Sequence, residues 1–172
     1  MPDLDGLLAD LTACGSQLEV RDVLDRAVAS SSWLADALPC ERAELVPLHV
    51  SPTLSIFKAV WAPGMAVPPH DHRMWAAIGV YAGREDNELW RRVGDDRARI
   101  ESVRGRALGA GDVGLMGDDA IHSVSAGSWT GAIHVYGGDF LAQERSMWFD
   151  GVEEPSDAAR SQAIFEAANR SL

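Results

Sequence analysis

Four of the chain's five histidines fall in three short segments. PPHDHRMW carries His70 and His72 on either side of Asp71, AIHSV carries His122, and GAIHVYGG carries His134 two residues before Tyr136. Side chains two apart on a strand leave the same face, so His70 and His72 project side by side and can grip one metal ion. Pro68 and Pro69 hold the approach to them extended, and Gly64 marks a turn before it. His134 and Tyr136 share a strand face by the same alternation. Imidazole suits Fe, Zn, Ni and Cu alike, so the ligand type points to a transition metal without choosing one. His49, between apolar residues of another segment, reads as a surface or strand-edge residue.

These residues need strands to present them. From Leu45 onward, short runs rich in Val, Ile, Trp and Tyr alternate with Gly, Pro, Asp and Asn, the pattern of an all-β barrel or sandwich. Strands are expected near 45–50, 54–62, 66–71, 74–82, 87–93, 97–104, 113–116, 120–126 and 131–138. The run REDNE, 84–88, reads as a solvated turn. Leucines at 4, 7, 8 and 11 behind Asp3 or Asp5 predict a first helix, and the spacing from Val20 to Leu38 a second, broken one that Pro39 ends. Helical spacing returns from Ser156 to Asn169 behind a serine cap.

A chain of 172 residues suits one domain: a helical extension over 1–44, a barrel over 45–150 and a helical segment over 151–172. Fifteen basic against 26 acidic side chains give a formal charge of -11. That field repels phosphate backbones and anionic lipids, so neither nucleic acid nor a membrane is an expected partner. Acids stand near the N-terminus where a secretory signal carries basic residues, and a cytoplasmic location is expected. Cys14 and Cys40 form no C-x-x-C pair and read as small buried hydrophobes.

Gly64, His70, His72 and Gly83, followed by Gly111 and His122, resemble the two signature motifs of the cupin superfamily. That resemblance implies a double-stranded β-helix, the jelly-roll barrel, between N-terminal helices and a C-terminal helix. The chain departs from the motifs where Ala76 or Ala77 holds the place of the usual glutamate ligand. Gly117, Asp119 and Ala126 replace the proline, second glycine and asparagine of the second motif. TLSIFKAVWAPGMAVPPHDH, HRMWAAIGVYAGREDNELWRR and GAIHVYGGDF look more closely like segments of cysteine dioxygenase and its bacterial relatives, over roughly residues 45–140.

Carried over by position, the resemblance makes His70, His72 and His122 the ligands of Fe(II). His134 and Tyr136 become the hydrogen-bonded pair that positions substrate and dioxygen. The implied activity adds both atoms of O2 to the sulfur of a small thiol of the cysteine or 3-mercaptopropionate type, giving a sulfinic acid. Its partners are that small molecule and O2. Ala132 stands where the family has a serine two residues before the histidine, and the cysteine that crosslinks to the tyrosine is absent. ELVPLHVSP lacks the arginine that clamps a substrate carboxylate; His49, Lys58, Arg91 and Arg92 are the candidate replacements. Two rival expectations keep the three histidines: a dioxygenase acting on a β-diketone or related enolate, and a non-catalytic cupin that binds a metal-chelated metabolite.

Overall fold

The structure, a computed structural model, describes residues 3–94 and 99–171. Eleven strands among the described residues form two antiparallel sheets. β1 (Glu44–Val50), β2 (Ser55–Trp61), β9 (Thr130–Tyr136), β4 (Ala76–Ala82) and β7 (Val113–Met116) make one sheet in that order. The other runs β11 (Val152–Pro155), β10 (Ser146–Phe149), β3 (Ala66–Asp71), β8 (Ile121–Ser125), β5 (Arg84–Arg92) and β6 (Ile100–Gly109). Without the edge strands β1, β10 and β11 the orders are 2-9-4-7 and 3-8-5-6. These are the two sheets of a jelly roll, so the expected double-stranded β-helix is the observed fold.

Alternation along each strand divides the side chains between the barrel interior and its outer face. Phe57, Ala59 and Trp61 of β2, Ile78 and Val80 of β4, and Ala132, His134 and Tyr136 of β9 are buried inside. Ile56, Ala77, Tyr81, Ile133 and Val135 face outward under a helical cover: α1 (Leu4–Ala13), α2 (Gln17–Val28) and α3 (Ser32–Ala37). Asp3 caps α1 by accepting from the Gly6 amide, and Ser16 caps α2 by accepting from Glu19. Leu11, Leu24, Val28 and Leu34 are fully or almost fully buried against the sheet. Gly79 lets α2 come close, since a Cβ there would lie 3.1 Å from Val28 Cγ1. No described helix is long and apolar enough to cross a membrane.

Three expectations need correction. REDNE is no turn: it belongs to β5, where Glu85 and Asn87 point inward and are buried while Arg84, Asp86 and Glu88 face out. The segment 146–155, divided in the sequence reading between barrel and helical tail, is a β-hairpin on the edge of the second sheet. Its turn is Asp150-Gly151, both at positive φ (51° and 79°), the hairpin geometry that the dipeptide favours. α4 (Ala158–Arg170) is capped by Asp157, whose side chain accepts from the Ala159 amide, and not by serine. The strand expected over 97–104 starts outside the described residues at 97 and 98; from Ile100 it is β6.

Candidate metal centre

His70 on β3 pairs directly with His122 on β8, and His72 follows two residues beyond His70. One ring nitrogen from each lies within 4.8 Å of the others. His72 and His122 present their Nε2 atoms 3.2 Å apart. Two nitrogens bound to one ion at about 2.1 Å stand about 3.0–3.4 Å apart, so the pair already has ligand spacing.

Two of the three rings are fixed in a metal-accepting tautomer. His70 Nδ1–H donates to the Pro68 carbonyl at 3.0 Å, and His122 Nδ1–H donates to Asn87 Oδ1 at 2.7 Å. Each bond leaves the Nε2 lone pair toward the centre. His72 has no such anchor, because its Nδ1 is buried without a partner among the described residues. The His72 ring is packed against His122 and Tyr136, at centroid distances of 4.9 Å to each. Burial first, then repulsion from neighbouring imidazoles (His122 and His70 on His72, His70 and His134 on His122), holds both well below the usual imidazole range, and burial takes His70 down to about 4. Three neutral imidazoles with converging lone pairs fit a divalent transition ion, and they leave its charge uncompensated.

Next to this cluster runs a buried polar chain. His134 Nε2–H donates to Glu85 Oε2 at 3.3 Å, which leaves Nδ1 to accept the Tyr136 hydroxyl at 3.0 Å. Trp61 Nε1–H also donates to Glu85 Oε2 (2.8 Å), and Asn87 Nδ2–H donates to Oε1 (3.0 Å). The Asn87 amide therefore links Glu85 to His122, and one hydrogen-bonded path joins Tyr136 to the histidine cluster. Burial by itself would raise the Glu85 carboxyl; the electrostatic attraction and hydrogen bond of His134, with the hydrogen bonds from Trp61 and Asn87, hold it below its ordinary value. Burial raises the Tyr136 phenol, which stays protonated.

None of the four candidates for the missing arginine lines the cavity over the histidines. Lys58 points outward to Glu44 at 2.6 Å, Arg91 pairs with Glu101, Arg92 binds Glu153 at 2.8 Å, and His49 lies on the edge strand β1. The cavity, of about 430 Å³, is lined by two other cations, the exposed Arg42 and the more buried Arg145 from the segment leading into β10. The Arg145 guanidinium carbon lies 3.8 Å from the centre of the Phe140 ring, and Phe140 stacks on Tyr136 at 4.2 Å. Arg145 Nε is buried with no hydrogen-bond partner among the described residues, and burial pulls the group below its ordinary pKa. The same cavity is bounded by four of the five sequence-predicted residues, His70, His122, His134 and Tyr136; His72 is buried behind its lining.

No protein-family model matches the chain. Among solved structures, it is similar to an RmlC-like cupin family protein from Methanocaldococcus jannaschii with a double-stranded β-helix fold (11% identity, TM-score 0.46, 57% of this chain and 82% of that one). It is also similar to a DMSP lyase (18%, TM-score 0.43, 56% of this chain and 44% of the other). A third is Bacillus subtilis oxalate decarboxylase, a protein with Mn(II) centres (18%, TM-score 0.42, 52% and 22%). This chain thus spans less than half of the last two proteins.

Proposed function

We propose that the chain is a mononuclear Fe(II)-dependent dioxygenase that oxidises a thiol carboxylate to its sulfinate. The observation that carries this reading is Arg145: its guanidinium, whose Nε has no hydrogen-bond partner among the described residues, lines the same cavity as His70 and His122 of the imidazole cluster. A cation beside a metal centre suits a ligand with two anionic ends, a thiolate for the ion and a carboxylate for the bidentate fork. A β-diketone would chelate through its own oxygens and leave Arg145 buried without a partner.

In this reading His70, His72 and His122 hold the iron, which supplies the redox chemistry that lets O2 react with a thiolate. The balance is RS⁻ + O2 → RSO2⁻: two S–O bonds form, the O–O bond breaks, and sulfur loses the four electrons that the oxygens gain. The Tyr136 oxygen, with its proton committed to His134, is free to accept the thiol proton's hydrogen bond. Passing that proton on through the Tyr136 hydroxyl to His134 Nδ1 makes an imidazolium that Glu85, 3.3 Å from the other nitrogen, stabilises. Glu85 thereby takes the orienting role left open by Ala132. Among the described residues the acids lining the cavity are Glu44, paired with Lys58, and Glu166, which accepts from Gln162. An α-ammonium would find no unpartnered carboxylate in that lining, which favours 3-mercaptopropionate over cysteine.

The test is O2 uptake by protein loaded anaerobically with Fe(II). Uptake is expected with 3-mercaptopropionate, weaker with cysteine and absent with cysteamine. Arg145→Met should raise KM for the carboxylated thiol by about 10- to 100-fold, the range for a charge-assisted pair. No uptake with any of the three thiols would remove the sulfur chemistry, and uptake of no more than one equivalent would leave a binding protein.

A further inference from the structure

We infer that the substrate carries an apolar substituent of about ring size beyond its thiol and carboxylate, and that Ile164 and Phe165 of α4 select it. This rests on the thiol-carboxylate reading and deepens it. 3-Mercaptopropionate has six heavy atoms and fills on the order of 180 Å³ even at liquid water's share of about 30 Å³ per molecule. The cavity measures about 430 Å³, so more than half would stay empty.

The cavity offers apolar wall as well as polar groups. Beside His70, His122, His134, Tyr136 and Arg145 it is lined by Val67, Val124 and Met147 from the second sheet and by Ile164 and Phe165 from α4. Ligand sites of this size bury apolar groups against such walls while a few polar groups set orientation. α4 is held in place for that task. The Asn169 side chain accepts from the Ala43 amide (2.8 Å) and donates to the Ala43 carbonyl (2.9 Å), and Phe165 stacks on Trp61 at 5.5 Å. α4 has no fully buried residue: Ile164 and Phe165 pack against the cluster around Trp61 and Val124 and stay partly exposed where they line the cavity, which leaves apolar surface that a ligand can cover.

Isothermal titration of anaerobic Fe(II)-loaded protein with 3-mercaptopropionate and with 2-benzyl-3-mercaptopropionate tests this. The benzyl compound should bind about ten-fold tighter or better. Ile164→Trp, which fills cavity space beside α4, should abolish that preference. Phe165→Ala, which strips one wall, should reduce the preference, and unchanged far-UV circular dichroism would show that α4 is retained in both variants. In metal-free protein 3-phenylpropionate should bind more tightly than propionate, a readout that needs no iron. Equal or weaker binding of the benzyl thiol where 3-mercaptopropionate binds overturns the inference and leaves the dioxygenase reading standing. Failure of both thiols to bind removes both.

Discussion

Glu85→Gln is a near-isosteric change whose consequences can be followed atom by atom. Two donors, Trp61 Nε1–H and His134 Nε2–H, point at Oε2, and one, Asn87 Nδ2–H, points at Oε1. The glutamine keeps the most bonds with its oxygen at the Oε2 place, which sets its NH2 against the Asn87 NH2. Flipping Asn87 relieves that clash but turns its NH2 toward His122 Nδ1–H, where its oxygen now accepts at 2.7 Å. His122 must then move its proton to Nε2, the nitrogen that faces the candidate metal. One mismatched buried donor costs about 1–3 kcal/mol, so urea unfolding of metal-free protein at pH 7 should show a loss of that size. Metal affinity should fall about 10- to 100-fold, the usual effect of losing a ligand's orienting partner. The folded Glu85 pKa lies below its ordinary 4.5, so its contribution is present above that pH and is lost as pH falls through the folded value. Wild type and variant should therefore converge in stability below about pH 4.5. A stability change under about 0.5 kcal/mol together with unaltered metal affinity would refute the linked path from Glu85 to His122.

The histidine cluster should keep a divalent metal well below pH 6.5, because burial takes His70 to about 4 and lowers His72 and His122 as well; a binding midpoint near 6.5 in a metal titration against pH would contradict this. The same shifts make metal-free protein lose stability as pH drops below 6.5, where the unfolded chain binds the extra protons, and urea midpoints across that range measure it. Asp71→Ala removes the acceptor of the Ser146 amide (2.7 Å) and should cost about 1–3 kcal/mol, speed amide exchange at Ser146 and raise KM more than it lowers kcat. Gly79→Ala should cost about 1–3 kcal/mol in thermal unfolding by pushing Val28 and Leu24 off the sheet, with metal binding unchanged.

The barrel and the histidine triad were legible because they rest on local signals: alternation, turn residues and two histidines at strand spacing. Glu85 and Asn87 were not. Three of the five residues in REDNE are acidic or basic and face water, and the two that turn inward become distinguishable only when the strand's register is known. A buried carboxylate is tolerated there because three donors surround it, and those donors come from positions 61, 87 and 134. The sequence therefore displays the loss of serine at Ala132 and hides its replacement. Arg145 was hidden for another reason. LAQERSMW carries no signal that its arginine enters the barrel, because what brings it there is pairing of β10 with β3, with Met147 opposite His70. The Asp-Gly turn at 150 and 151 was the available clue to that hairpin.

The aspartate between the two histidines ties these parts together. β3 sends His70 and His72 into the barrel, and by the same alternation sends Asp71 to the outer face, where Oδ1 holds the Ser146 amide. Arg73 Nη2–H donates to Ser146 Oγ at 2.9 Å, and Ser146 Oγ donates to Glu153 at 2.7 Å, so the hairpin is fastened at both strands. Arg145 is the residue before Ser146. Two of the proposed iron ligands, His70 and His72, and the proposed carboxylate clamp are thus positioned by β3 and its neighbour β10, with His122 on β8 at the other side of β3, and the distance between thiolate and carboxylate that the site accepts is set by sheet geometry. A clamp carried on a free loop could follow substrates of varied length. This one should discriminate sharply between thiol acids differing by one methylene between the two anionic ends, while tolerating variety in the substituent that leaves toward α4.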